Sequence, residues 1–161
     1  MAAIGLLTLR ITLAVVFVAH GLHDLFGFFS GSGVGPGGLD QQAAYYTALG
    51  LRPGFAIAVL AGITKFAGGL LLIPGFATRW ASLALVVYLG VAVWSDYRRW
   101  GFFLNWTGAP GMGQGVEYAL VLIAALVCLM LTGGGEYSLD GRRSRSAESR
   151  AAARDRVRRK F

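Results

Sequence analysis

The chain has 161 residues, of which 55% are hydrophobic and only 14% are charged. Soluble domains carry about a quarter of their residues as charged side chains, so this composition argues against a soluble globule. The formal net charge of +7 comes entirely from the segment 141–161, because acidic and basic side chains balance in the preceding part of the chain. The length leaves room for one domain.

Four apolar stretches follow one another and predict four membrane-spanning helices. They cover about residues 3–29, 54–73, 78–95 and 116–133, and a helix needs about 20 residues to cross the hydrocarbon layer. A globule of this size cannot bury four helices that are apolar on every face. We therefore expect an all-α membrane protein, with a four-helix transmembrane bundle over residues 1–140.

The connections between these stretches have different characters. The first begins with a Gly/Ser/Pro-rich segment at 30–38, which cannot hold regular structure. It continues into residues 40–49, which are predicted to form a short helix at the membrane interface. The third connection, 97–115, is rich in Trp, Tyr and Phe, as is typical of chain at the headgroup level.

Basic residues in the loops predict that both termini are cytoplasmic. Nine Lys and Arg residues follow the fourth stretch, and Arg79 lies between the second and third. Because these residues favour the cytoplasmic side, they outweigh Arg52, Arg98 and Arg99 on the opposite side. The segment 141–161 is predicted to be a basic helical tail that lies on anionic lipid, with docking of an acidic protein partner as the alternative. Nucleic acid is not an expected partner for so short a tail.

Ionisable residues inside an apolar helix are costly and therefore informative. His20, His23 and Asp24 are spaced i, i+3 and i+4, so they share one face of the first helix. Lys65 lies midway along the second span, and its long side chain reaches toward Asp24, which predicts an Asp24–Lys65 ion pair. Glu117 opens the fourth span at the same level. These five groups are expected to form one cluster, which either fixes helix packing or forms a functional pocket.

Several kinds of chemistry have no support in the sequence. The spacing of the His, Asp and Glu residues does not resemble a closed four-ligand metal site, so no metal is expected. Cys128 is the single cysteine, which excludes a dithiol mechanism within the chain, and we expect it to be a buried small residue. No phosphate-binding loop motif is present, so nucleotide binding is not expected.

Short motifs in a fixed order give the chain a resemblance to a known family. They are Leu9-Arg10, Ala19-His20-Gly21-Leu22, Leu25-Phe26-Gly27, Leu49-Gly50-Leu51, Gly68 to Leu72, Gly75, Thr78-Arg79, Glu117-Tyr118 and Gly133 to Asp140. In this order and spacing the chain resembles the DoxX family of small bacterial membrane proteins. The resemblance implies a four-helix domain in the bacterial inner, or cytoplasmic, membrane.

Two departures from the family pattern concern charge. The family usually has Lys at the position of Asp24 and Glu at the position of Lys65, so both charges are reversed in this chain. A swapped ion pair accounts for the two changes together and implies contact between the first two spans. The reversal also puts in doubt any chemistry that needs the family's carboxylate in the second span.

The resemblance implies a link to redox biology, because some relatives look like membrane subunits of quinone reductases. The first hypothesis is therefore a membrane subunit without its own cofactor, at most part of an oxidoreductase, that anchors a redox partner. In this hypothesis His20, Asp24, Lys65 and Glu117 form a pocket for a quinone head. The alternative is an accessory or assembly subunit whose intramembrane charges are purely structural. A transporter is not favoured, because the sequence has no matched pair of broken helices.

Overall fold

The computed structural model describes residues 1–31 and 37–158, with side chains described as far as residue 151. This part of the chain is helical and contains no strand. Its elements are α1 (Ala2–Phe26), α2 (Leu39–Ala48), α3 (Gly54–Leu72), α4 (Thr78–Ser95), a 3₁₀ turn at Tyr97–Trp100, α5 (Glu117–Thr132) and α6 (Leu139–Arg158).

Three of these helices, α1, α3 and α4, are long and apolar enough to cross a membrane. The helix α5 is also apolar but has only 16 residues, about 24 Å of helix against about 30 Å of hydrocarbon. The first span was expected to reach residue 29, but α1 ends at Phe26 because Gly27 adopts a left-handed conformation, with φ of 72°, and caps the helix.

The apolar helices pack in the order α1, α3, α4, α5, and α5 returns to contact α1. Helices α1 and α3 run antiparallel. The last turn of α1 and helix α2 therefore lie at one end of the bundle, and the start of α6 lies at the other. We call these the α2 end and the α6 end. Large apolar side chains fill the centre: Leu13, Phe17, Leu72, Leu85, Leu89, Leu122, Leu126 and Leu129.

The expectation that Cys128 is buried is wrong. On α5 the inward positions are taken by Leu122, Leu126 and Leu129, and Cys128 lies on the exposed surface of the helix. The three leucines therefore fill the core positions of α5, and Cys128 takes no part in the packing of the core.

Glycines allow α1 and α3 to touch. A Cβ atom on Gly21 would lie 2.6 Å from the backbone nitrogen of Phe66, and one on Gly69 would lie 2.9 Å from Val18. Membrane helices gain little from the hydrophobic effect once they are in lipid, so close backbone packing is a main source of their association. The contact between α1 and α3 therefore depends on these two positions.

At the α6 end, Arg10 fastens α1 to the segment that connects α5 with α6. The side chain is 1% exposed. Its Nη1 donates to the carbonyl oxygen of Gly134 at 2.6 Å, and its Nη2 donates to that of Tyr137 at 2.9 Å. A Cβ on Gly75 would lie 2.5 Å from the guanidinium, so glycine at that position makes room for it. From the sequence, Arg10 was noted only as part of the Leu9-Arg10 motif, with no structural role predicted for it.

The start of α4 is capped by a residue that lies 62 positions further along the chain. The backbone N–H groups of Ala77 and Thr78 donate to the two carboxylate oxygens of Asp140, at 3.0 and 2.8 Å. The N-terminus of a helix has free N–H groups, and a carboxylate satisfies them. Burial alone would raise the pKa of Asp140, but these hydrogen bonds outweigh it and hold the pKa below its ordinary value.

Replacing Gly21 by alanine should destabilise the bundle by about 1–3 kcal/mol, because the added methyl group meets the backbone of α3. The free energy of unfolding, measured by denaturant titration in mixed micelles, checks this. Gly5→Ala is the matched control, since no atom lies within 4 Å of a Cβ at Gly5 in the same helix. Equal effects of the two substitutions would contradict the close contact.

Replacing Asp140 by alanine should lower stability at neutral pH by about 0.5–2 kcal/mol, because α4 loses its cap. The contribution of Asp140 to the free energy of unfolding is complete above its ordinary pKa of 3.8. It is lost as the pH falls through the lower pKa of the folded state. The difference in unfolding free energy between wild type and variant, followed from pH 7 downward, should shrink accordingly. Glu136→Ala, in the exposed part of the same segment, should change little.

Candidate site around the Asp24–Lys65 ion pair

The structure brings Asp24 and Lys65 together between α1 and α3. Asp24 lies in the last turn of α1, and Lys65 lies in the middle of α3. The Lys65 Nζ atom donates to the Oδ2 atom of Asp24, and the two residues are 5% and 4% exposed. A buried charge of either sign is unfavourable when alone, so each residue here compensates the other.

The ring of Tyr88 on α4 completes the environment of the lysine. The Nζ atom of Lys65 lies 4.9 Å from the centre of this ring, within the range of a cation–π interaction. Lys65 therefore contacts groups on two neighbouring helices, the carboxylate of α1 and the aromatic face of α4. Both contacts hold its amine inside the bundle instead of at the membrane surface.

The two histidines of the predicted cluster have different roles. His23 is buried, and its Nδ1 donates to the carbonyl oxygen of Phe28 at 2.9 Å. Its own carbonyl accepts from the N–H groups of Gly27 and Gly38, so His23 organises the chain after α1. His20 is exposed, and its Nδ1 donates to the carbonyl of Val16 at 2.8 Å. This bond leaves the other ring nitrogen, Nε2, available for exchange of a proton.

Glu117 is turned away from the ion pair. Its Oε2 accepts from the backbone N–H of Leu104 at 3.3 Å, in the loop before α5. The acid thus holds the loop at the start of its own helix. Of the four residues predicted for a pocket, the structure joins Asp24 with Lys65 directly and places His20 at the cavity that Lys65 lines. Glu117 does not line that cavity.

Three cavities lie in series through this region. An apolar cavity of about 340 Å³ opens between α3 and α4. A small internal cavity of about 50 Å³ is lined by Lys65 and His20, and a third, of about 200 Å³, is lined by His20 and His23. Tyr88 lines the first two cavities, and His20 lines the last two. These two residues therefore separate one cavity from the next.

The cavity between α3 and α4 opens toward lipid. Leu60, Val87 and Val91 on its rim are 67%, 58% and 49% exposed, and such apolar side chains on membrane helices contact the acyl chains. Its lining includes Tyr46 and Tyr88, and Tyr88 packs against the cluster of residues that contains Tyr46. Burial raises the pKa of Tyr46, so this hydroxyl remains a hydrogen-bond donor at neutral pH.

Sequence analysis missed the tyrosines and Asp96. Asp96 accepts hydrogen bonds from the hydroxyl of Tyr45 and from the indole of Trp100, and it pairs with Arg99. It thereby fastens α2 to the end of α4. Tyr88 places a polar hydroxyl in the middle of an otherwise apolar span, and this pattern could have identified it. It was not selected because its side chain carries no charge.

No group of three or more His, Cys, Asp or Glu side chains with the geometry to hold a metal ion occurs within residues 1–31 and 37–151, whose side chains the structure describes. Around the ion pair, the available chemistry is instead one amine, one carboxylate, an exposed imidazole and phenol hydroxyls. These groups donate and accept protons, and they do so next to an apolar cavity.

Replacing Lys65 by methionine should lower the free energy of unfolding by about 3–5 kcal/mol, because Asp24 is left buried without its partner. The double variant Asp24→Asn with Lys65→Met should recover most of this loss, since neither charge remains. Unfolding in mixed micelles measures both. Arg99→Gln is the control, because Arg99 is 53% exposed in its pair with Asp96 and should cost less than about 1 kcal/mol. A double variant as unstable as Lys65→Met would contradict the mutual compensation.

Comparison with known proteins agrees with the membrane fold. An uncharacterized membrane protein of Mycobacterium tuberculosis is 27% identical over 146 residues, which cover 89% of this chain and 83% of that relative. No solved structure gives a significant match. The DoxX family profile matches residues 5–98, more than half of the chain, and this region includes Asp24, Lys65 and Tyr88. The protein is therefore a membrane protein and belongs to the DoxX family.

Proposed function

We propose that this protein is a four-span subunit of the bacterial inner membrane that binds the head of a quinone and anchors a redox enzyme. In this proposal both termini are cytoplasmic, and α5 is the fourth span despite its 16 residues. The observation that carries the proposal is the lipid-facing cavity between α3 and α4, whose wall includes Tyr88, the residue whose ring contacts Lys65 of the buried ion pair. The redox link of the DoxX resemblance adds to it.

The cavity has the properties that a quinone head requires. Its volume of about 340 Å³ lies within the usual range for small-molecule sites. Its apolar walls suit the ring and the isoprenoid tail, and its opening toward lipid suits a ligand that diffuses in the membrane. The hydroxyls of Tyr46 and Tyr88 are donors for a quinone carbonyl, which only accepts hydrogen bonds.

The cavities in series supply a route for protons. Reduction of a quinone to a hydroquinone takes up two electrons and two protons. The electrons would come from the partner redox enzyme. The protons would pass from the exposed His20 to the small cavity lined by Lys65, and from there past Tyr88 to the ligand. This proposed site differs from the four-residue pocket predicted from the sequence, because Glu117 has no part in it.

Binding of a short-chain naphthoquinone to the purified protein tests the cavity. Quenching of tryptophan fluorescence should report saturable binding. Ala84→Phe, which places a ring in the cavity, should weaken it by about tenfold or more. Tyr88→Phe removes one hydrogen bond and should weaken it by about three- to tenfold.

The control variant is Ala124→Phe, which adds the same ring to an exposed position of α5 that lines none of the three cavities. It should bind like wild type. If Ala84→Phe and Ala124→Phe bind the quinone equally well, the cavity is not the binding site. Absence of both quinone binding and a co-purifying redox enzyme would leave the accessory or assembly role, with the ion pair serving helix packing.

A further inference from the structure

Another cavity, separate from the three already described, lies at the α6 end, far from the proposed quinone site. It has a volume of about 660 Å³ and is bounded by the starts of α4 and α6 and by the glycine-rich segment after α5. Its walls include Arg79, Trp80, Arg145 and the backbone of Gly133 to Gly135. We propose that this cavity binds the phosphodiester headgroup of an anionic phospholipid.

Two arginines are held on the walls of the cavity by the main chain. The Nη2 atom of Arg79 donates to the carbonyl oxygen of Leu131 at 3.2 Å, and that of Arg145 donates to the carbonyl of Glu136 at 3.0 Å. A guanidinium has five N–H donors, so each arginine keeps several donors for an anion. Within the described residues, neither guanidinium forms an ion pair with a carboxylate. Paired guanidinium groups match the oxygens of a phosphate.

The charge at this end favours an anion. Glu136 and Asp140 also line the cavity, but both oxygens of Asp140 accept N–H groups at the start of α4. Four arginines lie at this end: Arg79 and Arg145 line the cavity, and Arg10 and Arg143 lie near enough to Asp140 to interact with its charge. The arginines therefore outnumber the carboxylates at this site, and the carboxylate of Asp140 is already engaged as the cap of α4.

The rim of the cavity indicates a lipid instead of a free phosphate. Trp80 lines the cavity and is 74% exposed. Leu131, whose carbonyl oxygen accepts from Arg79 beside the cavity, is 67% exposed, and both residues belong to apolar helices that contact lipid. Tryptophan favours the headgroup level of the membrane. A ligand whose phosphate contacts Arg79 and Arg145 would lay its acyl chains along Trp80 and Leu131. A soluble phosphate would gain nothing from these two side chains.

Native mass spectrometry of the full-length protein, titrated with phosphatidylglycerol, tests the proposal. Wild type should retain about one tightly bound phosphatidylglycerol and should discriminate against zwitterionic phosphatidylcholine. Arg145→Gln and the double variant Arg79→Gln with Arg145→Gln should weaken retention progressively, by about tenfold or more for the double variant. Arg145→Gln changes an exposed side chain and should therefore leave folding intact. The single variant can thus test the site even if the double variant fails to fold.

The matched control is Arg98→Gln at the opposite end of the bundle. Arg98 also lies beside a tryptophan, 3.9 Å from the ring centre of Trp94, but it does not line this cavity. It should leave the retention of phosphatidylglycerol unchanged. An equal loss in Arg98→Gln and in the double variant would show general attraction of lipid to basic protein and would overturn the site. Binding of inorganic phosphate without retention of phosphatidylglycerol would overturn the lipid assignment.

Discussion

Helices α1 and α3 approach each other so closely that their backbones touch, and this contact sets the positions of the other charged groups. At Gly21 and Gly69 a side chain would collide with the neighbouring helix. Because the two helices are antiparallel and close, Asp24 near the end of α1 meets Lys65 in the middle of α3. The same arrangement brings Arg10, near the start of α1, beside Gly75 just after α3. The buried Asp24–Lys65 pair and the buried Arg10 therefore depend on the same helix contact.

The interior of the bundle is polar at two levels, and the two levels are stabilised differently. Lys65 is balanced by a carboxylate and an aromatic ring. Arg10 is balanced by main-chain carbonyls, and Asp140 adds a favourable charge nearby. A lysine amine that lines a cavity suits proton exchange, whereas an arginine bound to main-chain carbonyls suits a fixed structural contact. This difference is why we place chemistry at the α2 end and assembly of the chain at the α6 end.

Apolar runs located α1, α3, α4 and α5 to within a few residues, because the cost of burying polar groups in lipid makes such runs conspicuous. The proximity of Asp24 and Lys65 followed from their depth in two spans and from the reversed charges. Other features depend on contacts between residues far apart in the chain, which local patterns do not encode. Asp140 as the cap of α4 and the hydrogen bonds of Arg10 to Gly134 and Tyr137 are of this kind. The hydrogen bond from the N–H of Leu104 to Glu117 is another such contact, which helix spacing cannot show.

The cap at the start of α4 has a consequence for synthesis of the protein. During translation, α4 leaves the ribosome well before Asp140, so its first N–H groups lack their carboxylate until the last apolar helix has been made. Arg10 likewise lacks its hydrogen-bond acceptors until Gly134 and Tyr137 have been synthesised. The first and third of the long apolar helices thus reach their final state only when the chain beyond α5 returns to them. The bundle is therefore completed late, and only after all of its apolar helices have been synthesised.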